Sequence, residues 1–211
     1  MVAELAHAAR DITASSPAEH APDSDGVRRF AFDVASYHAL EGAGIFSPDE
    51  RVELIEGEII IMSPIGKRHA AGVKRTANVF TRFKESEALL SVQDPIALPG
   101  SRSEPVPDVM LLKPRADVYE DALPTPADVL LLIEISDSTL AYDRRTKMPL
   151  YARHGVRESW IVNLIERVLE IYTEPKNGKY TLRRIVELGE TVTPQAFPKF
   201  KVRVADLFGK A

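Results

Sequence analysis

The chain has 211 residues, 45% hydrophobic and 27% charged, with a net charge of −4 and no cysteine. That length suits one domain with an ample core. The composition excludes disulfides, thiolate zinc sites and cysteine nucleophiles, and the acidic balance means that any polyanion must be met by a local basic patch. No apolar run approaches the roughly 18 residues of a membrane span, and no basic-then-apolar secretory pattern opens the chain, so the reading is a cytoplasmic protein with no membrane attachment.

Residues 1–27 read as a flexible tail, because "TASSPAEHAPDSDG" has no periodic apolar face. Residues 28–211 read as the folded domain. "DVASYHALEGAG" predicts a short helix capped by Asp33 or Ser36 and ended by Gly42 and Gly44. In "VELIEGEIIIMSP" two apolar runs flank Glu56-Gly57, a hairpin pattern. Lys67 to Glu87 predicts the longest helix: His69, Val73, Thr76, Ala77, Phe80 and Phe83 share one half of the wheel, and Lys67, Arg68, Lys74, Arg75 and Arg82 the other. "LLSVQDPIAL", "PDVMLL" and "VLLLIEIS" predict strands, the last buried on both faces because its apolar run does not alternate. "YDRRTKMPLYARHG" predicts a helix ended by Gly155, with Pro149 kinking it or marking its true start. "ESWIVNL", "RVLEIYTEP" and "KYTLRRIVEL" are three further strands, the last two turned by "KNG", and "VADLF" is a closing helical turn. The order of elements predicts an α/β domain with a mixed sheet.

Two acids interrupt this pattern. Asp108 opens one apolar strand and Glu134 sits inside another. A buried carboxylate is costly unless paired, protonated or metal-bound. Two on neighbouring strands repel, and a divalent cation with hard-oxygen preference relieves that repulsion. Asp143 and Lys147 are spaced to share a helix face, from which the ammonium could reach the acids and orient a water or stabilise phosphate charge. Each residue alone has a plainer reading: an acid at a strand end also partners an arginine or turn amide, and a helix lysine is usually solvated.

"VPDVMLL", "IEISDST" and "DRRTKMPLYARHGVRESWIVNL", with "VELIEGEIIIMSP" and His69 before them, resemble the Uma2 family over about Phe32 to Phe208. That family is classed with the PD-(D/E)XK nuclease superfamily. The resemblance implies a restriction-endonuclease-like mixed β-sheet flanked by helices. It further implies that Asp108 and Glu134 bind Mg²⁺ or Mn²⁺ with the Ile135 carbonyl, and that Glu53 reaches the metal through water. The superfamily's usual lysine position is Ser136 here; in Uma2-like proteins the lysine moves to the following helix, which points to Lys147. Asp137 stands where the family often has proline.

His69 reads either as a core histidine or, by the resemblance, as a residue facing the site. Asp143 would pair with Lys147, fixing its rotamer, or with an arginine, and Ser136 and Ser138 could cap the next segment. No acid occurs between Ile59 and Lys84; the basic half of that helix, with Arg68, Lys74 and Arg75, is one candidate phosphate-binding surface, and Arg144 and Arg145 with Arg153 and Arg157 form another. The functional reading is a metal-dependent endonuclease acting on nucleic acid, DNA favoured, with a homodimer as one expected state. The alternatives are an inactive nucleic-acid or protein interaction module on the same fold, and a small-molecule phosphohydrolase.

Overall fold

The computed structural model describes residues 30–47, 50–62, 66–84 and 86–209; the tail read over residues 1–27 lies outside them. The described residues form two compact units, one from 30–62 with 100–105 and one from 66–99 with 106–209.

In the smaller unit, α1 (Val34–Gly42) starts at Asp33, whose Oδ1 accepts from Ser36 N at 2.7 Å. The aspartate is therefore the cap, and Ser36 donates to it through its main chain. β1 (Val52–Ile55) and β2 (Glu58–Ile61) pair antiparallel. Glu56 and Gly57 turn them with φ of +52° and +85°, the paired left-handed geometry of a tight hairpin. A side chain at Gly57 would also collide, since an added Cβ would stand 2.6 Å from Ala31 Cβ. Segment 100–105 joins this unit: Glu104 N donates to Leu54 O at 2.7 Å, and its carboxylate meets His38 Nε2 at 2.7 Å.

The larger unit is built on a mixed six-stranded sheet in the order β3 (Leu89–Val92), β4 (Val109–Leu112), β5 (Val129–Ser136), β6 (Glu158–Asn163), β7 (Val168–Lys176) and β8 (Lys179–Val186). Only β5 and β6 run parallel, and that pair is joined by the long helical crossover that parallel pairing requires. Asn177 and Gly178, at φ +51° and +75°, turn β7 into β8. A two-stranded ribbon, β9 (Thr191–Val192) with β10 (Val202–Arg203), and a 3-10 turn over Val204–Leu207 close the chain.

Helix α2 (Lys67–Phe80) covers one sheet face. Its Val73, Val79 and Phe80 join Val109, Leu111, Leu131, Ile133, Ile135, Trp160 and Val162 in one apolar cluster. Gly72 permits this approach, because a Cβ there would lie 2.8 Å from Ile135 Cγ2. The helix stops seven residues short of the predicted Glu87. Phe83 N donates to Phe80 O, and the Phe83 ring turns onto Phe197 and Phe200, each 4.3 Å away between centroids. Aromatic packing here outweighs helix continuation. The predicted strand Leu89–Leu98 ends at Val92, since Gln93 takes φ +59°.

The crossover from β5 to β6 starts at Leu140, two residues earlier than predicted. It consists of α3 (Leu140–Tyr142), a π-helical turn over Asp143–Lys147, and α4 (Met148–Arg153). The wide turn is closed by Met148 N donating to Asp143 O, and Pro149 lies in the first turn of α4, where its missing N–H costs little. No helix among the described residues is long and apolar enough to cross a membrane.

Candidate active site

β4 and β5 place the two acids opposite each other. Val109 pairs with Ile133 in antiparallel register, so one residue further Asp108 faces Glu134, and directly opposed residues share a sheet face. Both are buried, at 7% and 2% exposure. Asp108 N donates to Glu134 Oε2 at 3.4 Å, and Ile135 N donates to Asp108 Oδ2 at 2.9 Å. Adjacent strands thus tie the carboxylates together through main chain as well as side chain.

The π turn brings the lysine in. Lys147, 2% exposed, sets its Nζ 3.3 Å from Glu134 Oε1. The Tyr151 hydroxyl donates to that same oxygen at 2.6 Å. Asp143 stands at the start of the turn, and its Oδ2 accepts from Ser136 Oγ at 2.6 Å and Thr139 Oγ1 at 2.7 Å. The serine expected to cap the helix instead fastens Asp143 to the end of β5, and Thr139, the residue at the helix start, makes no side-chain cap bond. Burial pushes the Asp143 carboxyl up, against the opposing pull of Lys147 and the two hydroxyls.

His69, on the first turn of α2, reaches Asp108 Oδ2 through Nε2 at 3.0 Å. Gln93 Nε2 donates to Asp108 Oδ1 at 3.1 Å. Burial alone would raise the Asp108 carboxyl. The hydrogen bond and charge of His69, the Ile135 N–H and the charge of Lys147 together outweigh it and hold Asp108 below 3.8.

The larger unit by itself therefore gathers Asp108, Glu134, Ile135, Ser136, Asp143, Lys147 and His69. Glu53 belongs to the smaller unit, where it is buried on β1. The two predicted basic groups separate. On α2, Arg68, Lys74 and Arg75 are exposed; Arg68 donates to Leu164 O at 2.8 Å and pairs with Asp137 at 3.3 Å. Arg145 is exposed as well. Arg144 is held inward by Glu170, both of whose oxygens its Nε meets at 3.1 Å. Glu170, fully buried, also accepts from Arg183, Tyr172 and Asn163.

Two site neighbours escape the sequence reading. Tyr151 carried a signal, since it follows Lys147 by four residues and so shares its helix face. Gln93 carried none: it meets Asp108 only because β3 pairs with β4, Val92 opposite Val109.

The donor chemistry suits a hard cation. Asp108 and Glu134 are acceptor oxygens on one sheet face, with one lysine and one histidine against them. No group of three or more His, Cys, Asp or Glu among the described residues is placed to hold an ion unaided. An ion at these two acids would complete its shell with water and main-chain oxygen, the habit of Mg²⁺.

A mixed six-stranded sheet flanked by helices, with two buried acids brought together by β4 and β5 and a lysine from the crossover, defines the α/β class of the chain. The family model described as "Uma2: Putative restriction endonuclease" matches residues 34–205, and the chain belongs to that family. Among solved structures it is similar to a protein from Anabaena variabilis described as a putative nuclease belonging to DUF820. The TM-score is 0.59 at 20% identity over 74% of this chain and 89% of that one, which establishes the shared fold. No curated protein matches the chain.

Proposed function

We propose that this protein is an endonuclease that hydrolyses phosphodiester bonds in nucleic acid, with DNA the favoured polymer and Mg²⁺ or Mn²⁺ its cofactor. The observation that carries this reading is the approach of Asp108, just ahead of β4, to Glu134 on β5, with Lys147 Nζ 3.3 Å from Glu134 Oε1. Two buried acids at such close range are costly for folding alone, and family membership supports hydrolase chemistry for the chain as a whole.

Asp108 and Glu134 would hold the divalent ion. When bound, it supplies charge neutralisation at the phosphate and a water of lowered pKa. The chain's own residues do the rest. His69, Gln93 and the Ile135 N–H fix the Asp108 carboxylate so that it need not reorganise. Tyr151 fixes Glu134 Oε1. Lys147, anchored between Glu134 and the turn that Asp143 pins to β5, keeps an ammonium where negative charge grows on the phosphate oxygens.

The test is cleavage of single- and double-stranded DNA by wild type and by Glu134→Ala, with Mg²⁺, with Mn²⁺ and with chelator. Metal-dependent cutting by the wild type alone is expected. Equal cutting by both proteins would sink the assignment of the site. No cutting by either would return the fold to the interaction-module reading.

A further inference from the structure

The exposed side of α2 carries a cleft that the proposed chemistry does not use. It measures 280 Å³, and Lys67, Arg68, Arg75 and Arg167 converge on it beside Phe208 and Gly209. Four cations meeting in one concavity repel one another, in a chain whose overall charge is −4.

Two of the four are aimed by main-chain carbonyls, and Arg167 meets no carboxylate among the described residues. Arg167 Nη2 donates to Gly209 O at 2.9 Å, and the guanidinium lies 5.7 Å from the centroid of the Phe208 ring. Arg68 Nη2 donates to Leu164 O at 2.8 Å; its one carboxylate neighbour is Asp137, at 3.3 Å. A main-chain carbonyl or ring face orients a guanidinium and leaves most of its five N–H groups for another acceptor. Arg167 also holds φ at +58°, a conformation an arginine rarely adopts without compensation. Gly209 leaves room for Arg75, whose Nη2 would stand 2.9 Å from a Cβ added there. Neither Lys67 nor Arg75 makes an ion pair among the described residues. Arg144, which Glu170 and Glu166 both meet, is the opposite case.

Convergent guanidiniums with unspent donors match the paired oxygens of a phosphodiester. The cleft is continuous in sequence with the site: His69 follows Arg68 and bonds to Asp108. We infer that this cleft binds a backbone phosphate of the nucleic-acid strand away from the scissile group, leading the strand along α2 and past His69 to the acids. This rests on the nuclease reading above.

The experiment is binding of a fluorescent DNA duplex, read by anisotropy against salt in chelator, for wild type, Arg75→Ala, Lys67→Ala and Arg75→Lys. Both alanine variants change exposed helix positions and should fold. Each is expected to weaken binding several-fold and to flatten the slope of log K against log salt by about 0.9. Arg75→Lys should keep the slope, and Lys179→Ala, an equal charge change on β8, should leave it unaltered. Wild-type affinity and slope in both alanine variants would overturn the cleft while leaving the nuclease reading intact. Displacement of the duplex by inorganic phosphate at matching concentration would make the cleft a small-anion site and overturn the strand assignment. A wild type that neither binds nor cuts nucleic acid would overturn both.

Discussion

The two faces of the six-stranded sheet are built from the same strands and behave as different materials. One face is apolar throughout its middle: Val109 and Leu111 of β4, Leu131, Ile133 and Ile135 of β5, Trp160 and Val162 of β6, and Leu169 of β7 pack with α2 in a single cluster. On the other face the alternate positions include Glu134, Ser136, Ser159, Asn163 and Glu170, all buried, and the crossover over 140–153 lies against them through Arg144, Lys147 and Tyr151. The first face gains free energy for every apolar area it hides. The second must satisfy each polar group it buries, and gains little net for doing so. The candidate chemistry thus lies on one side of a single layer of backbone, among the buried side chains of Met110, Leu132 and Ile161.

Breaking the apolar face should cost most. Trp160→Ala removes the largest fully buried side chain and its Nε1 bond to Glu158 at 2.7 Å, so a loss of about 3–5 kcal/mol is expected in urea unfolding. A loss under about 1 kcal/mol would mean that this face is not the main source of stability.

The Glu170 hub should come next. Burial would raise this carboxyl, but Arg144, Tyr172, Asn163 and Arg183 outweigh it and hold it below 4.5. Glu170→Gln should cost about 3 kcal/mol, near the low end for breaking a buried pair because both guanidiniums keep some solvent. With its folded pKa depressed, the unfolded chain binds the proton more readily. Glu170 thus stabilises fully above pH 4.5 and loses that contribution as pH falls below it through the folded value. Urea melts on both sides of that pH should show wild type losing more stability than Glu170→Gln; parallel curves would show that the hub is not charged as described.

The smallest effect belongs to the candidate site itself and sharpens the contrast most. Lys147→Met leaves Glu134 buried without its cation, but the Tyr151 hydroxyl still donates to Glu134 Oε1, so the expected cost is held to about 2 kcal/mol. Adding Glu134→Gln removes the charge that needed it, and the double variant should return to within about 1 kcal/mol of wild type. A strictly additive cycle would be evidence that the two side chains do not interact.

Much of the architecture was legible from local pattern. Asp33 or Ser36 reads as a cap, Glu56-Gly57 and Asn177-Gly178 as tight turns, and the unbroken apolar run of β5 as a strand buried on both faces, because these signals depend on a few neighbouring residues. Asp108 and Glu134 stand out as acids in apolar strands for the same reason. The end of α2 was not legible: it depends on Phe83 reaching Phe197 and Phe200, more than a hundred residues away in the chain. The π turn was hidden as well. Its extra residue is accommodated just ahead of Pro149 while Arg144, Asp143 and Lys147 are all secured to the sheet, and helical spacing alone carries no trace of those anchors.

By itself the sequence determined which residue types would be costly to bury and at what period they recur: two isolated acids, a lysine on the following helix, a helix basic along one half. Only the tertiary structure decided their partners. Strand register set Asp108 opposite Glu134 and brought Gln93 alongside, and the crossover spent Arg144 on Glu170 while the face of α2 kept its cations exposed. The physical reason is that burial preference is a property of each side chain and its near neighbours, whereas charge pairing is settled by distances of a few ångströms between segments far apart in the chain.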